Sequence, residues 1–396
     1  MHKFLIVFCF MIVCSITSCK RKSNQPIVDV LFTDYTKIKI SPSEEDKLLL
    51  SDIAKSIKII ELDSSEDALI GEIKEIAYDQ NIYFCQDVMT CLIFCFDTNG
   101  KFLNKIGRKG QGPGEMVYPG AFALNKQKKE VWQFDNNEKI NKYTYTGDFK
   151  ESVDINCIFM SSFNIHNNTL FCYTAKATNW KNDGTQDYWC NELTIIRNDD
   201  EIKRYFSVNT ELYPIENRIT VPEPTPFSDL DDSFTFHYTL NDMIFSIDKE
   251  SAKVDGKYFV DFGEKSFKQN ISQMKTDEFM QYMNKHPQEA GFISNIIETD
   301  SFLHFRYRHE GKINRAIYNK ESKNIIYGES INDVFTTPII LLGQRGGKFI
   351  GCIDNVSLLN LTDKAPHFLS TEEFEQLKRI DFDSNIILVE FELNNF

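Results

Sequence analysis

Apolar and polar positions along this chain change over every one or two residues, in bursts of four to seven separated by turn-forming clusters. That is the periodicity of strands, not of helices. Ile57, Ile59 and Glu61 alternate with Lys58, Ile60 and Leu62. From Gly71 the pattern predicts strands at 73–77, 82–86, 91–97 and 102–106, with Thr98-Asn99-Gly100 as a hairpin turn. Asn-Gly suits such a turn because glycine takes positive φ without strain. The plan recurs at 121–124, 130–134, 139–145 and 149–155, with Thr146-Gly147 as the turn, so Gly147 follows Gly100 by 47 residues. Four-strand units repeating every 40–50 residues are the signature of propeller blades. Further units are predicted at 160–208, 240–263, 296–329 and 346–393. The count is six, and the fold class is all-β.

Two segments depart from this rhythm. Met274, Phe279, Tyr282 and Met283 are spaced as on one face of a helix, after Thr276-Asp277-Glu278 and before His286-Pro287. This predicts a short helical insertion within 272–290, opened by an acidic first turn and ended by the proline. Residues 20–55 are polar, with one helix-capable stretch at 43–50, and read as a tether whose trimming over 20–40 does little. The strand patterns at 56–62 and 385–393 lie at opposite ends of the remaining chain. A propeller must join its first and last blades or leave sheet edges open. Residues 56–62 are therefore expected to pair beside the C-terminal strands in the sixth blade.

The first residues form a leader. Met1-His2-Lys3 is short and basic, and residues 4–14 are an apolar run too short to span a bilayer. Ser15-Ile16-Thr17-Ser18-Cys19 resembles the lipobox of bacterial lipoproteins, with Ile16 where leucine is more usual. The resemblance implies cleavage after Ser18 and lipid on Cys19. The alternative is ordinary signal cleavage beside an incidental cysteine. Lys20-Arg21-Lys22 reads as a basic linker near headgroups. Surface-export signals of Bacteroides-type lipoproteins place acids there, so the periplasmic face of the outer membrane is expected.

Residues 82–115, ending Ile106-Gly107-Arg108-Lys109-Gly110-Gln111-Gly112-Pro113-Gly114-Glu115, resemble the six-bladed β-propeller lipoproteins of Bacteroides-type bacteria, distant relatives of NHL-repeat proteins. Asn241-Asp242-Met243-Ile244-Phe245, Val260-Asp261-Phe262-Gly263 and the tail Asn385-Ile386-Ile387-Leu388-Val389 fit them as well. The expected organisation is a signal peptide over 1–18, a lipidated cysteine and tether over 19–55, and a propeller over 56–396. The resemblance speaks to fold and hardly to activity.

Composition narrows the partners. Aromatics make up 13% of the chain, with 33 Phe and 16 Tyr, which favours strands. The net charge of −14 argues against nucleic acid, which needs a basic footprint. Seven cysteines follow the lipobox, an odd number in an oxidising compartment. Cys172 and Cys190 flank a long hairpin and are candidates for a cross-strand disulfide. Cys91 and Cys95 sit too far apart along one strand for a bridge.

Three features could carry chemistry. Residues 107–115 are glycine-rich, but no Lys-Ser/Thr follows, so a crossover between blades is favoured over a phosphate loop. His304, Arg306 and Arg308 alternate with Leu303, Phe305 and Tyr307, which puts one imidazole and two guanidiniums on one strand face. Facing a channel they would hold an anion; facing water they would only solvate. Trp180, Tyr188 and Trp189 would stack on a sugar or anchor a partner, or else pack between blades. Asp199-Asp200 and Asp231-Asp232 read as solvated turns. No His-Glu-x-x-His and no Gly-x-Ser-x-Gly pattern occurs, and neither a catalytic residue, a metal site nor a cofactor is assigned. The expectation is a non-catalytic envelope lipoprotein that binds a protein, small-molecule or glycan ligand. The alternative is a lyase or hydrolase acting on glycans or peptides at the central channel.

Overall fold

The computed structural model describes residues 30, 34–135, 139–155, 159–175, 191–197, 203–207, 223–271, 274–331, 333, 339–353, 366–380 and 384–396, with backbone alone at 27–28 and 201–202. The leader, Cys19, Trp180, Tyr188, Trp189 and Cys190 lie outside the described residues. No described helix is long and apolar enough to cross a membrane.

Six sheets form the six blades. The chain begins with short strands β1 (Ile27–Val28), β2 (Thr36–Lys39) and β3 (Lys47–Leu49), one turn of helix α1 (Leu50–Ile53), and β4 (Ala54–Glu61). Blade I is β5 (Ile73–Asp79), β6 (Ile82–Asp87), β7 (Ile93–Asp97) and β8 (Phe102–Ile106); blade II is β9 (Pro119–Asn125), β10 (Glu130–Asp135), β11 (Lys139–Thr144) and β12 (Phe149–Asp154). Blade III is β13 (Ser162–His166), β14 (Thr169–Tyr173), β15 (Asn191–Arg197) and β16 (Glu201–Ser207). Blade IV is β17 (Phe227–Asp229), β18 (Ser233–Phe236), β19 (Met243–Asp248) and β20 (Val254–Asp261). Helix α2 (Thr276–Lys285) then leads to blade V, β21 (Gly291–Glu298), β22 (Phe302–His309), β23 (Lys312–Asn319) and β24 (Ile325–Ile331). Blade VI takes β25 (Ile340–Arg345), β26 (Lys348–Ile353) and, after helix α3 (Thr371–Leu377), β27 (Ile387–Leu393), with β4 as its outer strand.

Strand position explains composition. β6 and β10 are buried at nearly every residue, because a second strand is covered by a neighbouring blade on each face. β12, on the rim, is polar and largely exposed. The hairpin glycines Gly100 (φ +82°) and Gly147 (φ +91°) each abut the outer strand of the preceding blade. A Cβ on Gly100 would lie 1.9 Å from Glu61 O, and one on Gly147 would lie 2.9 Å from Lys105 O. Their spacing of one repeat is thus the spacing of successive blade contacts.

Ring closure follows the expected pairing: β4 runs antiparallel to β27, with Ile57 opposite Phe391 and Ile59 opposite Val389. The insertion is helical over residues 276–285, with Phe279, Tyr282 and Met283 buried, and ends at His286 before Pro287. Its N-cap is Lys275, one residue before the expected threonine, and Glu278 Oε2 accepts the Lys275 N–H at 3.2 Å. Blade IV begins at Phe227, earlier than the apolar pattern from Leu240 indicated, because its short first strands are mostly polar.

The tether reading of 19–55 does not hold where the segment is described. β1, β2 and β3 add in parallel to the outer strands β16, β20 and β24 of blades III, IV and V. The lead-in is therefore a strap around half the rim. Its few apolar residues pass inward: Ile38, Ile40 and Leu48 are buried. A single edge strand presents only one apolar residue in two to its blade, so the segment looks polar overall.

Candidate functional site

The first strand of each blade, β5, β9, β13, β17, β21 and β25, faces the axis, and together they wall a central cavity of about 180 Å³. At the hairpin end, Lys126 beyond β9 reaches Asp229 at the end of β17, with Nζ 2.6 Å from Oδ2. Lys249 stands 2.7 Å from Oδ1 of the same carboxylate. Burial alone would raise the Asp229 carboxyl, but the two ammoniums outweigh it and hold it below the usual carboxylate range. Gln344 on β25 donates to Asp229 O. Residues from blades II, IV and VI thus meet across the axis. Further in, Glu75 on β5 lines the cavity, and burial pushes its carboxyl up to about 7, against a smaller opposing pull from Lys74. A carboxyl so poised exchanges protons at neutral pH.

At or beside the end of the second strand of several blades, a residue reaches back to the incoming crossover. Asp87 accepts from Gly71 N at 3.1 Å, and Asp135 accepts from Val117 N and Tyr118 N, both at 3.1 Å. In blade IV this place belongs to His237, buried against Glu223 with Nδ1 to Oε2 at 3.1 Å. In blade V it belongs to Arg308, whose guanidinium donates to Met283 O at 2.6 Å and His286 O at 3.5 Å. Arg308 therefore caps the C-terminal carbonyls of α2. It shares a strand face with Arg306 as expected, yet is held by the helix end. The glycine-rich segment 107–115 is such a crossover too. Glu115 Oε2 accepts from Gly112 N at 2.9 Å, so the loop is wrapped around its own carboxylate.

His304 and Arg306 turn toward blade VI at the seam with blade V, not to open water. His304 is 1% exposed; Nδ1 meets Asn295 O at 3.1 Å, and its ring lies edge-on to Phe349 of β26. Burial, then Arg315 and Arg306, keep this imidazole well below its ordinary value. It is therefore neutral at pH 7. Arg306 Nε donates to Asn295 Oδ1 at 3.0 Å. Directly opposite it in register on β23 is Arg315, which donates to Ile339 O. Burial first, and Arg306 second, bring the Arg315 guanidinium down to about 10.

Arg315, Glu75, Asp229 and Lys249 were not singled out from the sequence. Arg315 had a usable signal. The Glu310-Gly311 turn closes a two-residue hairpin with His309 opposite Lys312, and counting back pairs Arg306 with Arg315. Glu75 had no distinguishing signal, standing beside Lys74 in a strand of mixed character. The cavity-mouth charges come together from blades far apart in sequence and had no local signal. Among the described residues no group of three or more His, Cys, Asp or Glu side chains is arranged to hold a metal. The candidate pairing of Cys172 with Cys190 falls outside the described residues, since Cys190 does.

A Bacteroides fragilis protein described as exported shares this architecture: TM-score 0.69 at 13% identity, covering 91% of this chain and 100% of its own. A member of the duf4221 family from Bacteroides vulgatus aligns with TM-score 0.53 at 12% identity, over 87% of this chain and 99% of its own. At such identities the likeness concerns the fold. No curated protein matches the chain in sequence. Residues 35–392 match the family described as a domain of unknown function, DUF4934, a span that takes in the strap strands β2 and β3 as well as all six blades. The chain is a member of the DUF4934 family, and its fold is a six-bladed β-propeller.

Proposed function

We propose that this chain is an extracytoplasmic lipoprotein that binds a small polar ligand in the central cavity and releases it unchanged. The observation that carries this reading is the convergence of Glu75, Lys126, Asp229, Lys249 and Gln344, from blades I, II, IV and VI, on one small chamber. Their chemistry suits a ligand with several hydroxyl or amide groups, such as a glycan fragment or short peptide. The leader and lipobox support lipid on Cys19, and the B. fragilis neighbour described as exported supports a location beyond the cytoplasm. The outer membrane, with the propeller in the periplasm, agrees with the basic residues after Cys19.

Two experiments test it. Cys19→Ser should move the protein into the soluble fraction and abolish acyl labelling; membrane-bound, labelled Cys19→Ser would overturn the anchor. Thermal-shift screening of the soluble domain with oligosaccharides and short peptides should give hits that Lys126→Ala or Glu75→Gln weakens at least tenfold. Hits indifferent to both changes would place the ligand elsewhere. A second reading, glycan or peptide cleavage, draws on the Glu75 carboxyl near 7, a value suited to general acid–base work. Turnover of a hit compound, lost in Glu75→Gln, would favour it over binding alone.

A further inference from the structure

We propose that the seam between blades V and VI is an oxyanion site, in which Arg306 and Arg315 clamp the anion and His304 accepts a hydroxyl carried beside it. This site is separate from the cavity reading and stands or falls without it.

The argument begins with register. Arg306 and Arg315 are direct cross-strand partners on one face of the β22–β23 hairpin. Sheets place opposite charges at such positions, because like charges directly opposite each other are destabilising. Among the described residues no carboxylate lies within ion-pair distance of either guanidinium. The acid whose charge Arg306 feels most is Glu223. Both of its oxygens are already engaged, Oε1 by the N–H groups of Asn295 and Thr225 and Oε2 by His237 Nδ1.

Each guanidinium is nevertheless oriented. Arg306 is fixed through Nε to Asn295 Oδ1, and Arg315 through Nη2 to Ile339 O. Neither Nη group of Arg306 has an acceptor among the described residues. Both arginines are half-buried side chains. A planar carboxylate or a phosphoryl group presents oxygens that two such forks satisfy together. It would also cancel the repulsion that the empty pair bears.

His304, two residues along the same face, gives the second observation. It is 1% exposed, and its Nε2 has no hydrogen-bond partner. Nδ1 points at Asn295 O, so Nδ1 carries the proton and Nε2 is a bare acceptor. A buried acceptor without a donor is costly. Next to two guanidiniums it selects an anion that brings its own O–H: a 2-hydroxy carboxylate or a monoprotonated phosphate. The shared chemistry is an oxyanion with an adjacent proton donor.

The soluble domain is titrated calorimetrically with glycolate, acetate and inorganic phosphate, with chloride at matched ionic strength as reference. Glycolate, phosphate or both should bind and raise the melting temperature, with acetate at least tenfold weaker than the better of them. Glycolate without phosphate identifies a hydroxy-acid ligand, and the reverse identifies a phosphoryl one. Arg306→Gln and Arg315→Gln should each abolish the shift. The proposal is overturned if no oxyanion exceeds chloride, or if the shift survives both substitutions.

Discussion

Ile59 and Val389 face each other in one blade, although they belong to opposite ends of the chain. Both are buried, and their pairing converts two terminal segments into the strand contact that shuts the ring. Closure removes the free edges that would otherwise template association. β27 alone buries Ile387, Leu388, Val389, Phe391 and Leu393. At about 1.5–3 kcal/mol per side chain, their loss is of the order of the whole stability of a typical domain. Deleting 384–396 should therefore abolish cooperative melting in circular dichroism; a truncated protein with the parent's transition would refute this closure.

The strap extends the same logic around the rim. Ile38 on β2 is 2% exposed and packs with Val260 and Phe262 of blade IV and Phe305 of blade V. Ile38→Ala should cost about 2–4 kcal/mol in chemical denaturation. Removal of residues 20–40 should lower the melting temperature by several degrees, where a true tether would leave it unchanged.

Gly100 and Gly311 separate two costs of replacing glycine. Both have positive φ, +82° and +70°, but a Cβ at Gly100 meets the Glu61 carbonyl whereas one at Gly311 meets nothing within 4 Å. Gly311→Ala should cost about 1–2 kcal/mol, the left-handed strain alone. Gly100→Ala should cost clearly more, since the blade I hairpin must move off β4. Equal urea midpoints for the two variants would contradict this.

Glu75 gives a pH signature. Its carboxyl stands near 7 in the fold against an ordinary 4.5, so the folded state holds the proton more tightly than the unfolded chain. The stabilisation is full below about pH 4.5, fades as pH rises to about 7, and is absent above. Discounted for the partial exposure of the Glu75 side chain, the swing is about 2 kcal/mol. Glu75→Gln should remove that slope, measured as the difference in unfolding free energy between parent and variant across pH 4–8. A constant difference would place the Glu75 carboxyl at its ordinary value.

Arg308 is distinguished from its neighbours by what it holds. Arg308→Ala should loosen α2 by about 1–2 kcal/mol, seen as faster amide exchange over 276–285, because the helix loses a cation at its carbonyl end. Oxyanion binding at Arg306 and Arg315 should persist.

The blades were legible from the chain because each depends on local chemistry: a two-residue apolar period, Asn-Gly and Thr-Gly turns, and a recurrence at 47 residues between Gly100 and Gly147. The helix at 276–285 was legible for the same reason, through its apolar spacing and the proline that ends it. Closure by 56–62 followed from a counting argument about unpaired strands, not from local pattern. The alternation at His304, Arg306 and Arg308 established a shared face, and the Glu310-Gly311 turn carried the pairing of Arg306 with Arg315, but neither showed that blade VI packs against that face.

Tertiary structure decided what neither a local pattern nor the strand count reaches. An edge strand such as β2 needs only one or two apolar residues, so its sequence is that of a linker until β20 supplies the other half of the ladder. Arg308 and Arg306 have the same sequence character, and only the docking of α2 makes one a cap and leaves the other beside Arg315. The cavity charges Lys126, Asp229 and Lys249 lie on three hairpins whose approach is set by the ring. Local order is encoded where residues are neighbours in the chain; the sites arise where blades meet, and there the deciding contacts are between residues that no local pattern connects.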